Sequence, residues 1–213
     1  MTYLEAINKV LIRLREDTVE DLSEPYTKLI GEFVNSSKRE VEDSIRWVQL
    51  RTTVQIVTVA GTSRYTLTSS GNRAKIMYAI NATSEHKMKL ANSEWMTMQF
   101  TTSSTQQSSP VYYDINGQTN GDFNVDIYPI PDSVYNLNFN MVIPQDELTG
   151  ISEELIVPEQ PVVLGAYAKA IAERGEDSGL SYRDALVNAE KALSDAISID
   201  SINIPSEYIW EQV

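Results

Sequence analysis

Apolar side chains recur every three or four positions in the first fifty residues, which is the spacing of one face of an α-helix. The first stripe consists of Leu4, Ile7, Leu11 and Leu14. Thr2 and Glu5 form a capping box, in which each side chain satisfies a free backbone donor of the other residue. The pattern therefore predicts a helix that begins at Thr2 and ends near Arg15.

A second, longer helix is predicted to open around Pro25, because proline in the first turn of a helix loses no hydrogen bond. Its apolar stripe keeps the helical period to about Trp47 and consists of Tyr26, Leu29, Ile30, Phe33, Val34, Val41, Ile45 and Val48. The charged residues that fall between these positions include Glu32, Lys38, Arg39 and Glu42.

From Thr52 onward the period changes to two, which is the spacing of a β-strand. Val54 and Ile56 share one face of this strand, and Val57 and Val59 lie on the other. Further strands are predicted over residues 65–67, 75–80, 87–90, 111–115, 123–128 and 135–143, with a short helix over 93–100. The polar run 101–110 has the composition of an exposed loop.

Two Asn-Gly pairs lie between the strands 111–115 and 123–128, at residues 116–117 and 120–121. Asn and Gly tolerate the positive φ that tight turns require, so these pairs predict a β-hairpin. In the strand 135–143, apolar residues alternate with asparagines, and one face of that strand is predicted to be buried. The asparagines are Asn136, Asn138 and Asn140.

The last third of the chain returns to the helical period. Pro158 marks the start of a helix that keeps its apolar face up to Gly175. Ser181 and Asp184 resemble a capping pair for a second helix. The stripe of that helix is narrow and rich in alanine, which favours close approach of a neighbouring helix. It consists of Tyr182, Ala185, Leu186, Ala189, Leu193 and Ala196.

This order of elements predicts an α+β fold. Two helices at each end of the chain indicate a discontinuous helical bundle over 1–50 and 147–200, with an antiparallel β sandwich or barrel inserted over 51–146. Residues 201–213 lose the helical pattern and are interpreted as an extended tail. Apolar anchors on this tail suggest docking onto the same chain or onto a partner. They are Ile204, Tyr208, Ile209 and Trp210.

Composition excludes several classes of protein. The chain has 213 residues, 30 Asp and Glu against 17 Lys and Arg, one His and no Cys. Disulfides and cysteine-based zinc sites are therefore excluded, and a site built on several histidines cannot form. The formal net charge of −13 argues against tight binding of nucleic acid, because affinity for phosphates comes from Lys and Arg.

The excess of acidic residues is uneven along the chain. Residues 1–50 carry 7 basic and 10 acidic side chains, 51–146 carry 6 and 7, and 147–213 carry 4 and 13. We expect one end of the molecule to be acidic. No apolar run approaches the ~20 residues that span a bilayer, and the N-terminus does not resemble a secretory signal. We therefore expect a soluble protein made in a cytoplasm, with no membrane partner.

Candidate chemistry is sparse. No Gly-rich phosphate loop, nucleophile elbow or metalloprotease motif occurs. The carboxylates of Glu173, Glu176 and Asp177 suit Mg²⁺ or Ca²⁺, but beside Arg174 they are more typical of a solvated helix end. The neighbouring carboxylates at 153–154 are interpreted in the same way. His86 lies in a predicted surface segment without a second histidine, so no catalytic, cofactor or metal site is assigned.

Three carboxylates and a group of aromatic residues surround the predicted hairpin. Asp114, Asp122 and Asp126 raise the possibility of glycoside hydrolysis, but alternation places Asp114 and Asp126 on outward faces, as solvated acids. The aromatic residues allow a sugar-binding interpretation, although core packing accounts for Tyr135 and Phe139 more simply. The aromatic set is Tyr112, Tyr113, Tyr128, Tyr135 and Phe139.

Four stretches resemble tail tubular protein A and related head-to-tail adaptor proteins of tailed bacteriophages, especially short-tailed ones. They are LEAINKVLIRLRE, EFVNSSKREVEDSIRWVQLRT, DIYPIPDSVYNLNFNMVIPQDELT and VPEQPVVLGAYAKAIAERGED, and together they cover most of residues 3–177. The resemblance rests on pattern and order of elements, since none of the stretches is a catalytic signature.

The resemblance implies a virion structural protein without enzymatic activity. Such adaptors form a ring, commonly of twelve copies, between the portal protein and the tail nozzle protein, with a central channel through which DNA passes, and tail fibres are a further expected neighbour. It also implies that the tail residues Ile204, Tyr208, Ile209 and Trp210 contact the portal. The alternative is a carbohydrate-binding or receptor-binding β module of a phage tail. In a ring, part of the acidic segment 147–213 is expected to face the channel or its mouth.

Overall fold

The computed structural model describes residues 1–102, 106–175 and 180–203. Within them lie five α-helices, a short 3₁₀ helix at Val48–Leu50 and seven β-strands. The helices are α1 (Tyr3–Arg13), α2 (Pro25–Ser44), α3 (Ser93–Thr102), α4 (Glu159–Arg174) and α5 (Leu180–Ile202). The strands are β1 (Arg51–Val57), β2 (Arg64–Thr66), β3 (Lys75–Asn81), β4 (His86–Leu90), β5 (Tyr112–Thr119), β6 (Asp122–Tyr128) and β7 (Asn136–Val142).

The chain divides into two compact units. The helical unit comprises residues 1–50 and the described residues from 145 onward, and it contains α1, α2, α4 and α5. The β unit comprises the described residues of 51–144, and it contains all seven strands and α3. The predicted α+β class is confirmed.

The first helix begins where its sequence predicts. The backbone N–H of Thr2 donates to the Glu5 carboxylate at 2.9 Å, and the backbone N–H of Glu5 donates to the Thr2 hydroxyl at 3.2 Å. These two bonds complete a capping box and satisfy donors that a helix start leaves free. Tyr3, Ala6, Ile7, Val10 and Leu11 form the buried face of α1.

The second helix ends earlier than its sequence predicts. Helix α2 stops at Ser44, and Ile45 is extended, whereas the apolar stripe suggested a helix running to Trp47. Trp47 is instead fully buried, and its indole N–H donates to the carbonyl oxygen of Val41 at 2.7 Å. The tryptophan therefore satisfies a carbonyl in the last turn of α2 from outside the helix.

Helix α4 is central to the helical unit, because it contacts α1, α2 and α5. Close approach to α2 depends on Gly165, where an added Cβ would collide with the Ser37 hydroxyl oxygen. The helix ends at Gly175, whose backbone is left-handed with φ of 60° and whose N–H donates to Ile171. The helix end predicted near this glycine is confirmed.

A buried ion pair lies inside the helical unit. Lys38 and Glu42 are one turn apart on α2, their side chains are 2% and 0% exposed, and Lys38 Nζ lies 3.0 Å from Glu42 Oε1. Lys38 Nζ also donates to the carbonyl oxygens of Gln145 and Asp146, each at 2.8 Å. Both residues fell between the apolar positions of the predicted helix, and their burial was not predicted.

The strands of the β unit form one sheet, in the order β1-β7-β3-β4-β5-β6-β2. All neighbours pair antiparallel except β4 and β5, which pair in parallel over two residues. The edge strands β1 and β2 are consecutive in the sequence, and the Tyr65 hydroxyl on β2 donates to the carbonyl oxygen of Val59, just after β1. The sheet is therefore nearly closed, which agrees with the barrel of the two predicted alternatives and not with the sandwich of two sheets.

Alternating residues of the strands fill the interior of the β unit. In β7, Leu137, Phe139 and Met141 are fully buried, which confirms the predicted alternation. The buried cluster consists of Ile56, Leu67, Ala74, Ala79, Met88, Tyr113, Val125, Ile127, Leu137, Phe139 and Met141.

Only one of the two Asn-Gly pairs forms the predicted hairpin turn. Asn120 and Gly121 have φ of 53° and 88° and connect β5 to β6. Asn116 and Gly117 lie inside β5, where the pairing register shifts between Ile115 and Gln118. The positive φ of Gly117, 80°, therefore serves a bulge in the strand.

Removal of the Glu42 carboxylate should strongly destabilise the helical unit. In Glu42→Ala, the Lys38 ammonium stays buried without its counter-ion, so we expect the free energy of unfolding to fall by about 3–5 kcal/mol. Denaturant unfolding followed by circular dichroism measures this change. Glu40→Ala is the matched control, because Glu40 lies on the same helix and pairs with Lys169 while 64% exposed. Its loss should cost below about 1 kcal/mol, and equal losses in the two variants would contradict the assignment.

Candidate interaction surfaces

Two of the predicted hairpin carboxylates are buried. Asp114 and Asp126 are each 5% exposed and lie directly opposite each other in the β5–β6 pairing. Both lie on the outward side of their strands, as predicted, but the interpretation of both as solvated acids is wrong. The outer side of these strands is not fully open to water, because the rings of Tyr112 and Tyr128 on that side pack against Trp95 of α3, at centroid distances of 4.9 and 5.6 Å.

Asp126 is held by hydrogen bonds that give it a structural role. Arg64 Nε and Nη2 each donate to the Asp126 carboxylate at 2.7 Å, and the side-chain amide of Asn116 donates to it at 2.7 Å. The bond to Asp126 raises the pKa of the Arg64 guanidinium above its ordinary value. These contacts connect β2, β5 and β6, and they occupy both oxygens of the carboxylate that a glycosidase would use.

Asp122 holds the loop that follows β2. Its carboxylate accepts the backbone N–H groups of Gly71 at 2.9 Å and of Ser69 at 3.1 Å. Ser69 and Gly71 both have positive φ, and their N–H groups converge on the carboxylate. The N–H of Gly71, followed by that of Ser69, lowers the pKa of Asp122 below its ordinary value.

The other polar candidates also have local structural partners. His86 is half-buried at the start of β4, where its Nε2 lies 2.9 Å from the carbonyl oxygen of Pro110. Glu153 accepts the backbone N–H of Thr149 at 2.7 Å, and this bond contributes most to lowering the pKa of Glu153. Glu173 is exposed near the end of α4.

Several predicted residues lie outside the described part of the chain. They are Glu176, Asp177 and the proposed partner-binding residues Ile204, Tyr208, Ile209 and Trp210. Among the described residues, no group of three or more acidic, histidine or cysteine side chains is arranged to hold a metal ion. None of the helices in these ranges is long and apolar enough to cross a membrane.

Most of the aromatic set is used in packing. Tyr113 and Phe139 meet edge-to-face in the buried cluster of the β unit, with ring centroids 5.5 Å apart, and Tyr135 packs against the same cluster. The core role predicted for Phe139 and Tyr135 is confirmed. Tyr128 is 5% exposed and contacts Phe100 of α3.

The net charge is confined to the helical unit. Residues 1–50 and 145–213 together carry 11 basic and 24 acidic side chains, a net of −13, whereas residues 51–144 carry six of each. The β unit is thus formally neutral. Along the sequence, the excess of acidic residues is divided between residues 1–50 and residues 145–213. Both of these segments belong to the helical unit.

Four neighbouring strands of the β unit contain basic residues and no acidic ones. The four neighbouring strands β1, β7, β3 and β4 contain no Asp or Glu and carry the cations Arg51, Lys75, Lys87 and Lys89. Their outward side chains include Val57, Tyr78 and Ile80, which are 56%, 39% and 37% exposed. We call the outward side chains Val57, Tyr78, Ile80, Lys87 and Lys89 the basic sheet face.

Helix α5 exposes apolar residues away from its partner α4. Its buried side is narrow and includes Ala185 and Ala189. On the opposite side, Val187, Ile199 and Ile202 are 54%, 67% and 82% exposed, although a helix facing water is normally polar on that side. We call Asp184, Val187, Lys191, Asp195, Ile199 and Ile202 the outer α5 face; its two acidic residues and its one lysine are all exposed.

Neither surface was singled out from the sequence. The sequence does contain a signal of the basic sheet face. The four strands that form it all lack acidic residues, although they are widely separated in the chain. Recognising that signal requires the strand order, which brings β1 and β7 beside β3 and β4. The outer α5 face was hidden because the alanine stripe dominated the helical pattern.

Comparison with known protein families gives one match. The family model described as SU10 adaptor protein matches residues 1–205, which cover the β unit and all but the last eight residues of the helical unit. The comparison with curated proteins gives no matching relative.

The hydrogen bonds of the Asp122 carboxylate should make the stability of the β unit depend on pH. Because the folded-state pKa of Asp122 is lowered, its charged form stabilises the fold above the ordinary pKa of about 3.9, and this contribution is lost as the pH falls through the folded value. Asp122→Asn should therefore lower the melting temperature at pH 7, and the difference from wild type should narrow at acidic pH. Thermal unfolding from pH 7 to pH 3 tests this, with Glu85→Gln in the exposed β3–β4 turn as control. A difference that is constant with pH would contradict the role of the charge.

Proposed function

Since the chain belongs to the SU10 adaptor protein family, we propose that it is a virion structural protein of a tailed bacteriophage, an adaptor at the junction between head and tail. The family match is the main support for the proposal, because it covers residues 1–205 of the 213-residue chain. The four stretches that resemble head-to-tail adaptors lie within the same range.

The proposal includes the finer arrangement implied by the resemblance to tail tubular protein A of short-tailed phages. Copies of the chain form a dodecameric ring that binds the portal protein on one side and the tail nozzle protein on the other, with tail fibres as further neighbours. The terminal helices pack as the bundle predicted from the sequence. The ring surrounds the channel through which DNA passes during ejection, and the protein catalyses no reaction.

The distribution of charge supports a passage for DNA. A conduit must let the phosphate backbone slide, and lysine or arginine side chains in the channel would instead bind phosphates. The helical unit carries the entire net charge of −13, so a channel lined by part of the acidic segment 147–213 would repel DNA without binding it.

The alternative function, a sugar-binding or receptor-binding β module, is less well supported. That interpretation needs aromatic rings that can stack on sugars, but Tyr113 and Phe139 lie in the buried cluster of the β unit. Tyr128 is covered as well. The alternative also assigns no role to the helical unit.

Binding to a portal ring is the direct test of the proposal. We expect the purified protein, mixed with the purified portal protein of the same phage, to form a symmetric collar that electron microscopy can resolve. Glycan binding without a collar would instead support the alternative function. In a map with side-chain detail, acidic residues of 147–213 that all lie on the outer rim would contradict their assignment to the channel.

The apolar residues of the C-terminal tail are proposed to contact the portal. Deletion of residues 204–213 removes Ile204, Tyr208, Ile209 and Trp210 and leaves all five described helices complete. Because buried aromatic anchors dominate protein interfaces, retention on immobilised portal should fall by about tenfold or more.

The matched control keeps every apolar anchor of the tail. In Ser206→Ala/Glu207→Gln/Glu211→Gln, retention on the portal should stay close to that of wild type. Equal retention of the deletion variant and the full chain would refute the role of the tail.

A further inference from the structure

The basic sheet face is built from side chains in adjacent register positions. Ile80 on β3 is paired with Lys87 on β4, and on its other side with Asn138 of β7. Lys87 Nζ lies 5.9 Å from the centroid of the Tyr78 ring, close enough for a cation–π contact. Cations and exposed apolar groups are therefore neighbours on this surface, and the intervening strand β7 contributes uncharged amides.

The chemistry of this surface indicates the kind of partner that fits it. The two exposed cations of the face, Lys87 and Lys89, attract an acidic surface, and Val57, Tyr78 and Ile80 require apolar contacts from the same partner. A polyanion without apolar groups would leave those side chains in water. The partner is therefore an acidic protein surface that also exposes aliphatic residues.

The helical unit of this chain itself carries such a surface. The unit has a net charge of −13. Its outer α5 face combines exposed Asp184 and Asp195 with exposed Lys191, a net charge of −1, and with three exposed aliphatic side chains. Ile199 and Ile202 are more exposed than any other large apolar side chain on the described helices. Like the basic sheet face, the outer α5 face exposes apolar groups, and its net charge has the opposite sign.

We propose that the basic sheet face of one copy binds the outer α5 face of the next copy. The two surfaces are different, so the contact is heterologous and leaves one free surface of each kind on every growing assembly. Repetition of such a contact closes into a ring when the rotation between copies permits it. The inference rests on the proposed ring function and identifies the surfaces that join its subunits.

The absence of cysteine makes the contact directly testable by disulfide cross-linking. Ile80→Cys places one thiol on the basic sheet face, and Ile199→Cys places one on the outer α5 face. On oxidation, a mixture of the two single-cysteine proteins should give covalent dimers at a yield about tenfold above either protein alone, because only unlike surfaces meet. The measurement is made on concentrated free protein and on protein bound to the portal.

A matched cysteine pair controls for random collision. Thr18→Cys and Thr62→Cys place thiols on exposed residues outside both surfaces, one in each unit. A yield from the Ile80→Cys and Ile199→Cys mixture that is no higher than the control yield in either state overturns the inference. Dimers that form equally well from a single variant also overturn it, because they indicate an isologous contact.

Charge reversal supplies a second readout. Lys87→Glu/Lys89→Glu should weaken self-association by about tenfold or more, since like charges then face each other. Asp184→Lys/Asp195→Lys in the partner copy should restore the interaction when the two variants are mixed. A charge-reversed protein that self-associates as strongly as wild type would contradict the proposal.

The outcomes separate this inference from the proposed function. A wild-type collar on the portal without specific cross-links supports the adaptor role and refutes the interface. Specific cross-links in free protein without a collar support the interface and refute the portal role.

Discussion

The buried ammonium group of Lys38 is the constraint on which the helical unit depends. An ammonium removed from water must have its three donors satisfied, and Lys38 has Glu42 at 3.0 Å and the carbonyl oxygens of Gln145 and Asp146 at 2.8 Å. Glu42 in turn accepts the backbone N–H of Gln145 at 3.2 Å. One ion pair thus fixes the position at which the chain re-enters the helical unit after the β unit. An apolar pair would pack as well, but it would provide no hydrogen bonds for this segment.

The division of charge between the two units is consistent with the different tasks that the proposed assembly assigns to them. Self-repulsion opposes the compact state, so concentrating a net charge of −13 in one unit has a cost that an even distribution would reduce. This loss of stability is accounted for if the function of the charged surface is to repel DNA. The neutral β unit, in which β1, β7, β3 and β4 lack acidic residues, would then be able to bind acidic protein surfaces, as proposed above.

Prediction from the sequence succeeds where the structure of a segment is determined locally. The capping box at Thr2 and the alternation of β7 were predicted correctly because each depends only on neighbours along the chain. Asp114 was predicted wrongly because strand alternation says which side a residue faces, but not whether another element covers that side. The burial of Lys38 could not be predicted because its partners include carbonyl oxygens more than a hundred residues away in sequence. The proposed tail residues lie outside the described part of the chain and stay a prediction.

The packing of α5 shows how a helix can belong to a fold and still be available for assembly. Its contact with α4 uses small side chains such as Ala185 and Ala189, and alanines bury little apolar area per residue. Large apolar groups contribute to the stability of a fold only when they are removed from water, and Ile199 and Ile202 at 67% and 82% exposure contribute little to that of the single chain. Their apolar surface can still be removed from water when another molecule covers it. The sequence of α5 therefore places small, close-packing residues on one side and its most exposed large apolar side chains on the other.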